Sequence, residues 1–337
     1  MKTQALLNLD GAYMCPGCRG ECIDGAESKV CLACARVFRD VAGMPDLRLE
    51  SDRYLDIEAE RAKAGRLHAL EGTSDLRALA EAYYAITDDV VDDRRDRFLR
   101  HIAMAEARGE ALLSRLPEAG RILDVGCGTG GLLVAAVRAG RSIVGVDIAS
   151  RWLVVARRRL SDHGLATTLV AASAECLPWA DESFDIVVAD SLLEHLDDPV
   201  AALREWLRVL RPGGRLVLWS PNRGMLTTDP HVGLWGVGWL PRAWVPTYLR
   251  LRKRHVWPPR TLSAHEAGRL ARAVGFDFVQ VDPAPIPECW ARRLSGRAQL
   301  ASRLYSGLLR FGLTRSLLRV FGPLWELHAT KREGGSA

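Results

Sequence analysis

From Arg121 to Ser220 the chain alternates between short apolar runs and amphipathic stretches, and this alternation limits the possible folds more than any other feature. ILDVG (122–126), SIVGVD (142–147), TTLVAAS (167–173), FDIVVAD (184–190) and GRLVLWS (214–220) read as buried strands. GLLVAAVRAG, RWLVVARRRLSDHG and residues 199–210 read as helices between them. Strands that are apolar on both faces and separated by helices imply a parallel sheet covered on both sides, so the expected class is α/β, doubly wound. Such sheets bind ligands beyond the carboxyl ends of their strands. There the first strand runs into the glycine-rich loop CGTGG.

At 337 residues the chain exceeds one ordinary domain. Its 48% apolar and 26% charged residues exclude wholesale disorder. No segment supplies about 18 consecutive apolar residues, and the start MKTQALLNLD lacks a basic region followed by an apolar core. Neither a membrane span nor a secretion leader is therefore expected, and the expected location is cytoplasmic. A net charge of +5 is too mild to indicate nucleic-acid binding unless the charge is concentrated.

Five of the eight cysteines fall between Cys15 and Cys34. Cys15 and Cys18 form one C-x2-C pair, Cys31 and Cys34 a second, and Cys22 lies between them as a bystander. Two such pairs can set four thiolates about 2.3 Å from one zinc ion. A segment this short and this poor in apolar residues needs the metal to fold. Disulfides are disfavoured in a cytosolic chain. The expected boundaries are a zinc ribbon over residues 1–48, a helical linker or cap over 49–118, and the α/β domain over 119–335 with inserts at 223–262 and 285–322. The linker is rich in Ala, Glu, Arg and Leu and reads as several connected helices. Its Tyr83 and Tyr84 read either as a cover over a ligand at the glycine-rich loop or as a core pair.

Two cofactors compete for the loop. Gly126, Gly128 and Gly131 satisfy G-x-G-x-x-G, and Asp147 closes the second strand, as in a dinucleotide fold. Asp124, inside the first strand, separates the two possibilities. A carboxylate there repels a pyrophosphate at the helix amino terminus but suits the ammonium and sulfonium of S-adenosylmethionine.

Four stretches in this order, ILDVGCGTGG, VGVDIA, ASAECLPWADESFDIVVADSLLEHLDDP and LRPGGRLVLWSPNR, resemble the class I S-adenosylmethionine-dependent methyltransferases. Residues 14–49 similarly resemble a small zinc ribbon fused ahead of many such enzymes. The resemblance implies a seven-stranded, mostly parallel Rossmann-like sheet closed by an antiparallel hairpin, with FDFVQVD and LWELHATK as its strands. It implies that Asp124, Gly126, Cys127, Gly128 and Gly130 form the loop around the methionyl group. Asp147 then takes the ribose hydroxyls, Ile148 one face of adenine, and Ser173, Ala174 and Glu175 the adenine edge. Ser173 stands where family members often carry Asp. Asp190 is expected under the methionyl group, facing the acceptor.

Methyl transfer to a hydroxyl or a protonated amine needs a general base, and His195 in LLEHL is the nearest candidate, with His231 and His255 as weaker rivals. Between Asp229 and Glu266 there are six Lys or Arg, four Trp and no acid, and between Trp290 and Trp325 seven Arg and no acid. Arg and Trp together suit an anionic, partly apolar partner, and Leu with Arg at helical spacing suits a membrane interface. The expected substrate is a small or lipid-linked amphiphilic acceptor, methylated on oxygen, with peripheral contact at the inner face of the membrane. The alternatives are an RNA base methyltransferase and a partner-binding protein that holds the cofactor without turnover.

Overall fold

The apolar runs become strands because each is buried on both faces: every residue of β5 (Ile122–Val125) is buried, as are the first four of β6 (Ile143–Asp147) and all of β7 (Leu169–Ala171). The computed structural model describes residues 13–51, 55–87, 92–252, 260–292, 294 and 296–333. Ahead of these strands lie β1 (Tyr13–Met14), β2 (Glu21–Gly25), β3 (Ser28–Cys31) and β4 (Val37–Arg39), a four-stranded antiparallel sheet. Then come helices α1 (Ile57–Glu71), α2 (Leu76–Ala85) and α3 (Asp92–Leu113). Asp56 and Asp75 cap α1 and α2, accepting from the N–H groups of Ala59 and Ala78.

The large sheet continues with α4 (Gly131–Arg138), α5 (Ser150–Asp162), β8 (Phe184–Asp190), α6 (Pro199–Val209) and β9 (Leu210–Pro221). Beyond β9 are α7 (Val245–Leu251), α8 (Ala264–Val274), β10 (Phe276–Pro283), α9 (Glu288–Ala291), α10 (Gly296–Leu308), α11 (Gly312–Phe321) and β11 (Leu324–Lys331). Its strand order is β10-β11-β9-β8-β5-β6-β7. β5, β6 and β7 pair in parallel, and β11 runs antiparallel to both of its neighbours. The seven-stranded mixed sheet and the closing hairpin are thus those the sequence implies. Helix α6 stops at Val209, and β9 begins four residues before the strand read from sequence. Gly213 supplies the left-handed backbone there, at φ 75°.

The chain falls into two compact units, Met1–Val188 with Arg208–Arg211, and Ala189–Leu207 with Pro212–Ala337. In the first, α1 packs along α5 and α3 along α4. Helices α3 and α4 approach backbone to backbone. A Cβ on Gly131 would stand 2.1 Å from Ala105 O, and one on Gly109 2.3 Å from Gly131 O. Gly131, which completes the dinucleotide pattern in the sequence, therefore serves helix packing.

The cysteine-rich sheet is bound to this unit. Met14 N–H donates to Pro178 O (3.1 Å), Arg19 Nη1 to Leu177 O (3.0 Å) and Cys176 Sγ to Pro16 O (2.9 Å). Residues 45–47 then run alongside β7, with Ala171 N–H donating to Pro45 O and Leu47 N–H to Ala171 O, both at 2.8 Å. The junction to the α/β sheet is therefore an added edge pairing.

Candidate active site

Gly126, Gly128 and Gly130 have φ of 72°, 50° and 77°, in the left-handed region that glycine enters without strain. The loop is folded over the next strand, since the N–H groups of Gly126 and Cys127 donate to Val146 O (2.8 and 3.1 Å). A Cβ on Gly128 would meet nothing nearer than 4.0 Å, so the space above it is open to a ligand. Gly130 instead faces α5, where a Cβ would lie 2.9 Å from that of Ala156.

Asp147, at the end of β6, joins two loops. Its Oδ2 accepts from Gly128 N–H (2.9 Å) and its Oδ1 from Ala149 N–H (2.8 Å), which leaves each oxygen further accepting capacity. Burial holds its carboxyl above the usual range, against the pull of these two amides. Asp124 is buried within β5. Burial also pushes the Cys127 thiol well up, and the nearby charges of Asp124 and Asp147 add to this. Ala172 N–H donates to Asp147 O (3.1 Å), bringing the third loop to the second. There Ser173 Oγ accepts from Glu175 N–H at 3.2 Å, ordering the turn as an Asp carboxylate would, and Ala174 is buried. The first unit thus assembles Asp124, Gly126, Cys127, Gly128, Gly130, Asp147, Ile148, Ser173, Ala174 and Glu175 at the carboxyl ends of β5, β6 and β7.

Several residues that support this constellation gave no sequence signal. Arg48, held by Asp46 through two 2.7 Å bonds, donates to Ile148 O at 3.0 Å. Arg159 is buried under the loop and donates to Thr129 O (2.7 Å), Ile102 O (2.7 Å) and Glu106 (3.2 Å). Glu60 of α1 accepts from Arg151 N–H at 2.9 Å and pairs with the Arg151 guanidinium, placing a buried carboxylate at the amino terminus of α5. Buried Tyr83 and Tyr84 pack against half-buried Trp152 and exposed Phe98, with ring centroids of Tyr83 and Trp152 4.5 Å apart.

In the second unit Asp190 ends β8, and its Oδ1 accepts from Ser191 Oγ at 3.2 Å. His195 closes a 3-10 turn, Leu193–His195. Its ring meets that of His231 edge to face, centroids 4.8 Å apart. Glu194, 1% exposed, places Oε1 3.3 Å from His231 Nε2, while Oε2 accepts from Ser220 Oγ at 2.9 Å. Burial acts against both charges, but the pairing wins: it holds Glu194 below the usual carboxylate range and His231 above the usual imidazole range. His231, the weaker candidate in the sequence, is thus drawn into the His195 cluster from the first insert. His255 lies outside the described residues.

The cysteines form two equivalent turns. Arg19 N–H donates to Cys15 O and Ala35 N–H to Cys31 O, with Arg19 and Ala35 at φ 62° and 54°. The sulfurs of Cys15, Cys18, Cys31 and Cys34 lie within 4.8 Å of one another, at 3.8 Å for Cys15 with Cys34 and 3.4 Å for Cys18 with Cys31. The backbone N–H groups of Cys34 and Ala33 lower the Cys31 thiol to about 6, despite burial. A Cβ on Gly20 would stand 2.5 Å from that of Ala33, so only glycine lets the second turn close against the first. Cys22 is buried opposite Cys31 on β2, outside the four-sulfur group.

The family model described as "Methyltransferase domain" matches residues 123–218. A ubiquinone biosynthesis O-methyltransferase of Cereibacter sphaeroides (strain KD131) is 32% identical over 178 residues, 52% of this chain and 68% of that protein. One of strain ATCC 17025 is 34% identical over the same shares, and one of Parvibaculum lavamentivorans 35% over 36% of this chain and 49% of its own. A solved S-adenosylmethionine-dependent methyltransferase of Thermotoga maritima is 23% identical and covers 71% of this chain and 95% of its own, with a TM-score of 0.45. The chain belongs to the S-adenosylmethionine-dependent methyltransferases.

Proposed function

We propose that the protein methylates an oxygen of a small amphiphilic acceptor, with His195 as the general base. The observation that carries this reading is the Glu194–His231–His195 cluster, in which Glu194 and His195 of the turn after β8 meet His231 of the first insert. S-adenosylmethionine supplies a methyl carbon already activated by its sulfonium. The chain's own task is to align the acceptor, exclude water and take up one proton. Glu194, fixed by Ser220, favours the charged form of His231, whose ring lies edge to face against that of His195, and the free base of His195 accepts the hydroxyl proton. The names of the relatives, ubiquinone biosynthesis O-methyltransferases, support oxygen as the accepting atom.

On the cofactor side, Asp124, Gly126 and Gly128 hold the methionyl group. Asp147 accepts from the ribose hydroxyls with the lone pairs that Gly128 and Ala149 leave. Ile148 covers one face of adenine, and Ser173, Ala174 and Glu175 its edge.

Cys15, Cys18, Cys31 and Cys34 suit one structural zinc. Sulfurs at about 2.3 Å from a tetrahedral ion stand about 3.8 Å apart, and the four here lie within 4.8 Å of one another, with Cys18 and Cys31 at 3.4 Å and Cys15 and Cys34 at 3.8 Å. The ion would fold a ribbon that braces the 173–178 loop through Arg19 and Pro16. Protein purified without added metal is expected to carry one zinc per chain; less than half a zinc contradicts the assignment.

Incubation with methyl-labelled cofactor and cell extract tests the acceptor. Label in lipid-soluble material supports the proposal, whereas label in RNA, or in no product, overturns it. His195→Ala should lower kcat by roughly 100-fold or more and remove the acidic limb of its pH profile. The donor atoms of Glu194, His195 and His231 also lie within 4.8 Å of one another, a two-His, one-carboxylate set that suits a divalent ion. Inhibition by a chelator that leaves the thiolate-bound zinc in place would assign the cluster to a metal instead.

A further inference from the structure

Helices α10 and α11 are attached by their polar side. Tyr305 Oη donates to Ala284 O (2.7 Å), Asn222 Nδ2 to the carbonyls of Arg319 and Val320 (3.0 and 3.1 Å), and Asp282 pairs with Arg315 and Arg319 (2.9 and 3.1 Å). Their apolar side is left outward. Helix α11 buries none of its residues, and α10 buries only Ser302 and Tyr305. Leu300, Leu304 and Leu308 recur at every fourth position of α10, and Leu313, Leu317 and Phe321 line α11. Leu313 is 80% exposed and Leu304 60%.

This apolar face continues into the first insert. The Phe321 ring stacks on Trp239 with centroids 5.8 Å apart, Leu226 N–H donates to Phe321 O (3.2 Å), and Trp235 Nε1 donates to Leu226 O (3.0 Å). Trp235 and Trp239 are themselves 61% and 53% exposed. Contiguous apolar surface of this kind marks an interaction site.

The charge decides the partner. No acid occurs between Glu288 and Glu326. Arg297, Arg303 and Arg310 of α10 and its following turn are exposed, with no acidic partner among the described residues. Their stems can lie along the leucine stripe while the guanidinium groups reach phosphate. We propose that this face docks the protein on an anionic membrane surface, leucines in the acyl boundary and arginines on the lipid phosphates. A second copy of the chain fits poorly, because a twofold contact would set this acid-free arginine face against itself. No helix among the described residues is long and apolar enough to cross a membrane, so the contact is with the interface. The inference rests on this face alone and is independent of the acceptor.

Flotation of the full-length protein with vesicles tests it. Binding is expected to phosphatidylcholine vesicles containing phosphatidylglycerol, little to phosphatidylcholine alone, with a steep fall as salt rises. Arg303→Gln with Arg310→Gln should weaken the partitioning roughly 30-fold, and Leu313→Ser with Leu317→Ser roughly 100-fold. Both variants should bind S-adenosylmethionine as the wild type does, which shows them folded and separates this result from the cofactor reading. Absence of binding, equal binding to neutral vesicles, or folded variants that float as well as the wild type would overturn the proposal. So would a self-association in sedimentation that the two serines abolish, which would give the face to a second copy.

Discussion

The two helical additions to the sheet, α1–α3 and α10–α11, are both rich in Leu, Ala and Arg, yet they behave in opposite ways. In the first, acids meet arginines: Glu71, Glu106 and buried Glu60 pair with Arg157 (2.6 Å), Arg159 (3.2 Å) and Arg151 of α5, and Arg61 of α1 pairs with Asp46 (2.9 Å). Ala64, Leu67, Leu79 and Ala80 are fully buried there. In the second, among the described residues, only Arg315 and Arg319 meet an acid, Asp282, while Arg297, Arg303 and Arg310 find none, and Leu300, Leu304, Leu313 and Leu317 stay outside. The distribution of acids therefore separates helices that complete a fold from helices that present a surface.

Breaking the first set should cost most. Glu60→Ala strands the Arg151 charge in a buried site and should lower unfolding stability by about 3–5 kcal/mol in a denaturant titration. Next comes the close helix crossing. Gly131→Ala drives a methyl group into Ala105 O and should cost about 1–3 kcal/mol. Gly307→Ala on α10 meets nothing within 4 Å and should instead stabilise, by about 0.5–1 kcal/mol. Equal destabilisation by both would erase the distinction.

The pH dependence sharpens the contrast further. Glu71 and Glu106 are raised by burial, but bonds to Arg157 and His68, and to His163 and Arg159, outweigh it and hold both below their ordinary 4.5. Their stabilisation is therefore complete above 4.5 and fades as the pH falls through the lowered values. His231, raised above its ordinary 6.5, acts in the other direction: its contribution is complete below 6.5 and fades as the pH rises through the raised value. Melting profiles of His231→Gln against wild type should accordingly converge at alkaline pH. The smallest effect is expected for Arg303→Gln with Arg310→Gln, within about 0.5 kcal/mol of wild-type stability, since neither guanidinium holds the fold.

The strands were legible because a buried strand writes itself as an unbroken apolar run. The β11 hairpin strand, LWELHATK, matches its sequence reading at both ends. The glycine loop was legible because few residues other than glycine accept its backbone. What the sequence hid are pairings between distant residues. Glu60 sits in a charged helix and carries no mark of the Arg151 it meets 91 positions later. Glu194 and His231 are 37 residues apart and read as a turn acid and an insert histidine until β8 and the first insert bring them together. Gly131 fits a cofactor pattern by spacing, but a helix from outside that pattern determines its role.

The central claim is that the loop after β5 and the carboxylate of Asp147 hold S-adenosylmethionine. Calorimetric titration of the cofactor into wild type and Asp147→Ala tests this most directly. The expected result is heat of binding in the wild type and a loss of at least about 100-fold in affinity in a cooperatively folded variant. Unchanged affinity in that variant would contradict the account.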